Sequence, residues 1–159
     1  MNRKSLRLQD IKLDDIDVQL LQALKANARA SIADLARSLN MSAPSVSERL
    51  RRLEELGVIQ AFTIEVDPKL LGYSLAFYIR IRPLPGLMPK VVALLAEIEE
   101  IVECDRITGD DCFIAKAHLR SADDLERVID QIIPFAQTNT SMIQSSPVQR
   151  RLPPLSENR

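Results

Sequence analysis

Residues 31–57, SIADLARSLNMSAPSVSERLRRLEELG, predict two short helices joined by a tight turn. Ser31 is a good N-cap, and apolar side chains then follow at the i, i+3, i+4 and i+7 positions of one helix face. Ser42 caps the next helix, Pro44 lies in its first turn, and Gly57 provides a left-handed stop. This pattern is typical of a helix-turn-helix, whose second helix is shaped to enter a major groove of DNA.

The second predicted helix has one apolar side and one polar side. The apolar stripe that is expected to bury it consists of Val46, Leu50, Leu53 and Leu56. The remaining side chains flank this stripe or face away from it, and they are mainly serine and arginine. The residues predicted to contact DNA are Ser42, Ser45, Ser47, Arg49, Arg51 and Arg52.

Two alternatives compete with DNA contact by this helix. The arginines could form a solvated face with i, i+4 ion pairs such as Glu48–Arg52 and Arg51–Glu55. The helix could also dock a protein, which would make the chain a metabolite-binding assembly module. Three arginines and three serines favour DNA over the apolar patch that a docking helix needs. Because the net charge of the chain is −1, we expect affinity for DNA to depend on geometry and on several copies acting together.

A third helix is predicted directly upstream of this pair. Asp14 and Asp17 have the spacing of a capping box, and an apolar stripe that begins at Ile16 follows. Downstream, the run VIQAFTIEV at 58–66 is rich in β-branched and aromatic residues and is predicted to form a wing strand. We therefore expect a winged helix-turn-helix domain over residues 13–66, with the helix-turn-helix itself at 32–51.

The second half of the chain predicts a different domain. After a linker at 67–73, strands and helices alternate in the order βαββαβ over residues 74–148, which is the ferredoxin-like split motif. The resulting fold class is α+β, a winged helix-turn-helix followed by a ferredoxin-like α/β sandwich. Its sheet has helices on one face, so we expect a second copy of the chain to cover the other, semi-apolar face. The tail at 149–159 lacks periodicity and is expected to be mobile.

The chain resembles the Lrp/AsnC family of feast/famine regulators. The resemblance rests on LDDIDVQLLQALKANARASIADLARSLNMS, on ERLRRLEELGVIQAFT and on a TGD turn inside the βαββαβ module, and it runs from about Leu13 to Val148. It implies a transcription factor that binds double-stranded DNA as a homodimer or a larger ring, such as a tetramer or octamer. It also implies that the C-terminal domain carries dimerisation and a site for a small-molecule effector, usually an amino acid or a related metabolite.

The turn between the middle strands is the effector site that the resemblance implies. Many family members read G-D-x-D there, and their second acidic residue is tied to the effector response. In this chain Cys112 occupies that place, and a thiol is not a fixed anion at neutral pH unless its pKa is lowered. Asp110 or Asp111 can substitute for it, and a plain hairpin turn remains the alternative. The predicted effector-binding residues are Thr108, Gly109, Asp110 and Asp111.

The sequence argues against several other classes of protein. A single histidine and the lack of a P-loop or glycine fingerprint leave nucleophilic, metal and nucleotide chemistry without their parts, so no enzyme activity, cofactor or metal is expected. His118 is interpreted as a packed or interface residue, and Cys104 and Cys112 as reduced thiols. Residues 1–10 lack the apolar stretch of a signal peptide, and no apolar run is long enough to span a membrane. A cytoplasmic location is therefore expected.

Overall fold

The computed structural model of the protein describes residues 12–155. The predictions made for residues 1–10 and for the last four residues of the tail lie outside this range. The chain divides into two compact units. The first comprises the residues up to Ile64 together with those from Arg150 onward, and the second comprises Glu65–Gln149.

The first unit contains the three predicted helices, and their caps are those that the sequence indicates. Asp14 and Asp17 form a capping box at the first helix, and the hydroxyls of Ser31 and Ser42 accept amide hydrogen bonds at the other two. Asn40 in the turn and Gly57 after the last helix both adopt positive φ, 52° and 71°. The helices are α1 (Asp15–Ala26), α2 (Ile32–Ser38) and α3 (Ala43–Glu55).

The core of this unit forms where the apolar stripes of the three helices meet. Leu20, Val46 and Leu53 are fully buried at its centre. The prediction that Leu56 helps to bury α3 is wrong, because its side chain is 39% exposed. Leu56 is the C-cap, and the chain reverses after it so that the amides of Val58 and the following residue donate to the carbonyl of Leu53. Val58 therefore packs against the core in its place.

The predicted wing strand is also wrong as a strand, since residues 58–66 form no strand in this structure. Phe62, Ile64 and Val66 are exposed at 51%, 83% and 50%. A strand exists only as part of a hydrogen-bonded ladder, and the described part of the first unit is otherwise helical. The residues of this segment up to Ile64 favour a strand, but the described part of the first unit offers them no partner strand.

The second unit is the predicted βαββαβ module, preceded by a short 3₁₀-helix at Pro68–Leu71. Its four strands form one antiparallel sheet in the order β2-β3-β1-β4. Ser121 and Asp124 form a capping box, as their spacing in the sequence indicates. The last strand, which the sequence predicts near residues 138–146, begins and ends a few residues earlier. The elements are β1 (Leu75–Pro83), α4 (Met88–Glu97), β2 (Ile101–Arg106), β3 (Phe113–Leu119), α5 (Ala122–Ile132) and β4 (Ala136–Met142).

Alternation along the strands separates a buried sheet face from an open one. Ile79 and Ile81 of β1 are fully buried against α4 and α5, as are the alanines of β3. On the open face, Arg80 and Arg82 follow Tyr78 along β1. The open face is therefore semi-apolar, as expected, with Ala76 and Tyr78 toward one end of β1 and two arginines at the other.

No helix within residues 12–155 is long and apolar enough to cross a membrane. The same described range holds no grouping of three or more His, Cys, Asp or Glu side chains that could ligate a metal ion.

Candidate functional site

The N-terminal turn of α3 presents a small cluster of hydroxyl groups to solvent. The amide of Ser45 donates to the hydroxyl of Ser42 at 3.3 Å, and the two hydroxyls lie 2.7 Å apart. Ser47 is also exposed. All three serines predicted to contact DNA are therefore accessible, and two of them are already ordered by the helix cap.

The arginines of α3 are divided between two environments, and sequence reasoning missed this division. Arg49 forms ion pairs with Asp14 at 2.7 Å and with Asp17 at 2.8 Å. Arg52 pairs with the other carboxylate oxygen of Asp17. Arg49 and Arg52 thus flank the apolar stripe of α3, and both reach back to the start of α1.

Asp17 is the centre of this network. Its side chain is fully buried, and it accepts from two guanidinium groups as well as from the amide of Asp14. A carboxylate can be buried in this way because every contact supplies a charged or amide donor. The network thereby fixes the rotation of α3 against α1, and with it the side of α3 that faces outward.

The carboxylate of the neighbouring Asp14 is also stabilised by nearby positive charge, but it is more exposed than the carboxylate of Asp17. Partial burial acts to raise the pKa of its carboxyl group. Hydrogen bonds from the Asp17 amide and from Arg49, together with the positive charges of Arg49 and Arg52, outweigh this effect and hold the pKa below its ordinary value. The pKa of Arg49 is raised in turn, chiefly by its hydrogen bond to Asp14. Both groups therefore stay charged at neutral pH.

Arg51 lies on the opposite, exposed side of α3. It pairs with Glu48 and with Glu55 along the helix, and its side chain is 57% exposed. The Arg51–Glu55 pair considered from the sequence is thus present, whereas Glu48 pairs with Arg51 and not with Arg52. Surface pairs of this kind are weak, so Arg51 is free to exchange its partners for a phosphate group.

The turn predicted to bind an effector separates β2 from β3. Thr108, Gly109 and Asp110 are exposed, and Gly109 adopts a φ of 115° that favours glycine. Asp111 is half-buried, and its carboxylate lies 3.8 Å from the guanidinium of Arg82. Sequence reasoning did not place this arginine at the turn, because the contact joins residues that are distant along the chain.

Cys112 follows the turn, and its contacts give it a structural role. Its amide donates to the carbonyl of Ile81 at 3.0 Å, its carbonyl accepts from the amide of Ile107, and its side chain packs against the core of the second unit. The acidic group that belongs to both the turn and the open sheet face is Asp111. His118 lies further along β3, where burial and then the charge of Lys116 lower the pKa of its imidazole.

Comparison with known proteins matches both units to characterised domains. Residues 13–60 match a model of winged helix-turn-helix DNA-binding domains, and residues 76–153 match a model of the Lrp/AsnC ligand-binding domain. The HTH-type transcriptional regulator LrpC of Bacillus subtilis is 34% identical over 135 residues, which cover 85% of this chain and 94% of LrpC. The regulatory protein AsnC of Escherichia coli is 29% identical over 152 residues, which cover 92% and 100%.

Solved structures agree with these matches. The structure of B. subtilis LrpC superposes with a TM-score of 0.83 at 33% identity, covering 88% of this chain and all of that one. A feast or famine regulatory protein from Mycobacterium tuberculosis, complexed with L-methionine, superposes with a TM-score of 0.82 at 31% identity, covering 88% and 97%.

A winged helix-turn-helix joined to a four-stranded α+β ligand-binding module defines a class of DNA-binding transcriptional regulators. The chain belongs to the Lrp/AsnC family, and it is a helix-turn-helix transcriptional regulator of that type.

Proposed function

We propose that the regulator reads its operator with α3, where Ser45 and Ser47 in the N-terminal half meet base edges and Arg51 in the C-terminal half contacts a phosphate group. The observation that carries this assignment is the buried Asp17 network. It occupies Arg49 and Arg52 and leaves the three serines and Arg51 exposed to solvent. Side chains at the start of a recognition helix are the ones that reach base edges in the major groove.

A binding experiment on single arginine variants tests this assignment. Arg51→Gln should weaken binding to an operator selected from random DNA, and it should reduce the slope of log affinity against log salt concentration by about one phosphate contact. Arg37→Gln is the matched control, because Arg37 lies on α2 and is exposed and paired at the surface like Arg51. Equal affinities and equal slopes for the two variants would reject the role of Arg51.

A triple replacement of Arg49, Arg51 and Arg52 is a poorer test. It would also remove both partners of the buried Asp17 carboxylate and destabilise the domain. Loss of DNA binding by that variant would not separate lost contacts from lost structure.

The competing function, in which α3 docks a protein, is less well supported. Apart from Ala43 and Pro44 in the first turn, the exposed side chains of α3 are serine, arginine and glutamate. Protein-docking helices need an apolar anchor that is buried on binding. This surface therefore favours DNA binding over protein docking.

We further propose that an amino acid binds at the turn of Thr108, Gly109, Asp110 and Asp111 and acts as the effector. The complex of the M. tuberculosis relative with L-methionine supports an amino-acid ligand. The position of Asp111 between the turn and Arg82 supports this location. Replacing Asp111 with Asn should abolish the effect of the ligand on thermal stability, and replacing Asp110 with Asn should weaken it. A ligand response that survives in the Asp111 variant would exclude this site.

The same proposal extends to assembly and organisation. Residues 13–66 form the DNA-binding domain, 67–73 the linker and 74–148 the assembly and effector domain, and residues 149–155 lie outside these domains. The regulator acts in the cytoplasm as a homodimer, or as a tetramer or octamer of chains built from such dimers, and it requires no catalytic group. Dimerisation places two recognition helices at a fixed separation, which predicts an imperfect palindromic operator with half-sites about one helical turn or a multiple apart.

A further inference from the structure

The open face of the sheet holds a second feature, a shallow polar cleft of about 310 Å³ near the effector turn. It lies at the end of β1 opposite to Ala76 and Tyr78, where Arg80 and Arg82 pair with β4. The side chain of Arg80 has no ion-pair or hydrogen-bond partner among the described residues. The cleft is lined by Arg80, Arg82, Asp111, Gln137, Thr138 and Asn139.

We propose that this cleft binds an acidic α-amino acid, of the aspartate or glutamate class. This inference rests on the proposed effector function in one respect, since Asp111 belongs to both sites. It adds the identity of the ligand class and two binding residues, Arg80 and Arg82, that the turn alone does not contain.

The charges of the cleft define what it can bind. It contains two guanidinium groups and one carboxylate, so its complement is a molecule with two anionic groups and one cation. Arg82 lies close to Asp111, which suits a carboxylate and an ammonium carried on the same carbon atom. Arg80 is two residues earlier on the same strand face, about 7 Å away, and it suits a second carboxylate at the end of a short side chain.

The lining also argues against an apolar amino acid. Every side chain that lines the cleft is polar or charged. A methionine or leucine side chain would gain little by leaving water there, and it would cover Arg80 without supplying an acceptor. The amides of Gln137 and Asn139 instead add donors and acceptors beside the two arginines.

Isothermal titration of the full-length protein with single amino acids tests this inference. We expect L-glutamate or L-aspartate to bind and L-methionine and L-leucine to bind at least about tenfold more weakly. Glutarate, which lacks the ammonium group, should also bind more weakly. Arg80→Gln should reduce the affinity for L-glutamate or L-aspartate by about tenfold or more. Lys116→Gln is the control, because Lys116 lies on the same sheet face and outside the cleft.

The outcomes separate this inference from the proposed function. Binding of L-methionine with an affinity that Arg80→Gln leaves unchanged would overturn the acidic ligand and leave the effector turn standing. Binding of no amino acid would overturn both. Equal binding of glutarate and L-glutamate would overturn the amino-acid class, since Asp111 would then recognise no ammonium group. Circular dichroism of Arg80→Gln verifies that the variant is folded.

Discussion

At the scale of single residues, Asp17 connects the stability of the first unit with its DNA-reading surface. The sequence predicts its capping role from its spacing to Asp14, and the structure confirms it. The sequence does not predict its ion pairs, because Arg49 and Arg52 follow it by 32 and 35 residues and helical periodicity describes contacts within one helix. The same limit applies to Arg82 and Asp111, which meet across the sheet.

Replacing Asp17 with Asn tests the network. We expect a loss of about 1–3 kcal/mol in the unfolding free energy of the first unit, since the variant keeps the shape of the cap and removes the charge. This loss is smaller than the loss expected for a fully buried ion pair. The side chains of Arg49 and Arg52 are 24% and 43% exposed, so water can solvate their charges in the variant. Chemical denaturation measures the change.

Asp15→Asn is the matched control for this variant. Asp15 is also in the first turn of α1, and it is exposed. If both variants lose the same stability, the helix dipole explains the effect and the network does not.

At the scale of elements, the helices and the βαββαβ order are predictable because each has a local signal. Capping residues mark where α1, α2, α3 and α5 begin, and alternation marks β1. The predicted wing strand at 58–66 is absent for a physical reason, because residues that favour a strand form one only beside a partner strand.

The ion pairs of α5 predict a pH dependence that belongs to this scale. Arg127 of α5 donates to Glu100, just before β2, and to Asp124. The hydrogen bond from Arg127 holds the pKa of Glu100 below its ordinary value of 4.5. A carboxyl whose pKa is lowered in the folded state contributes stability above its unfolded-state pKa, and the contribution is lost as the pH falls through the folded value.

Glu100→Gln should therefore lower the melting temperature of the second unit at pH 7 and change it less at pH 3. Melting curves of the two proteins at both pH values measure this. The shift should be small, because Arg127 is half exposed and water screens the pair. A difference between the proteins that grows on acidification would contradict the assignment.

At the scale of the whole molecule, the two units have separate cores, and this predicts separate responses to core mutation. Leu53 is fully buried in the first unit and Ile132 in the second. Replacing either with Ala should cost about 2–5 kcal/mol in its own unit. In calorimetry, Leu53→Ala should lower one transition and Ile132→Ala the other. A single transition that moves in both variants would reject the proposed domain boundary.

The proposed dimer makes the last prediction, which links the sheet to DNA affinity. On the open face, β1 is uncharged at Ala76 and Tyr78 and carries two arginines at its other end, and Lys116 of β3 lies opposite Tyr78. Pairing between copies is expected to centre on Tyr78, which is 43% exposed in the single chain. Tyr78→Glu would place a carboxylate in each half of an isologous contact and should convert the dimer to a monomer.

DNA affinity should fall with it, because two recognition helices would no longer bind as one unit. Val92→Glu is the control, since Val92 is 49% exposed on α4, in the helix layer on the opposite side of the sheet. Sedimentation and operator titration of both variants measure the two effects together. A Tyr78 variant that remains dimeric would move the interface away from this face. One that becomes monomeric yet binds the operator normally would show that a single copy of α3 suffices.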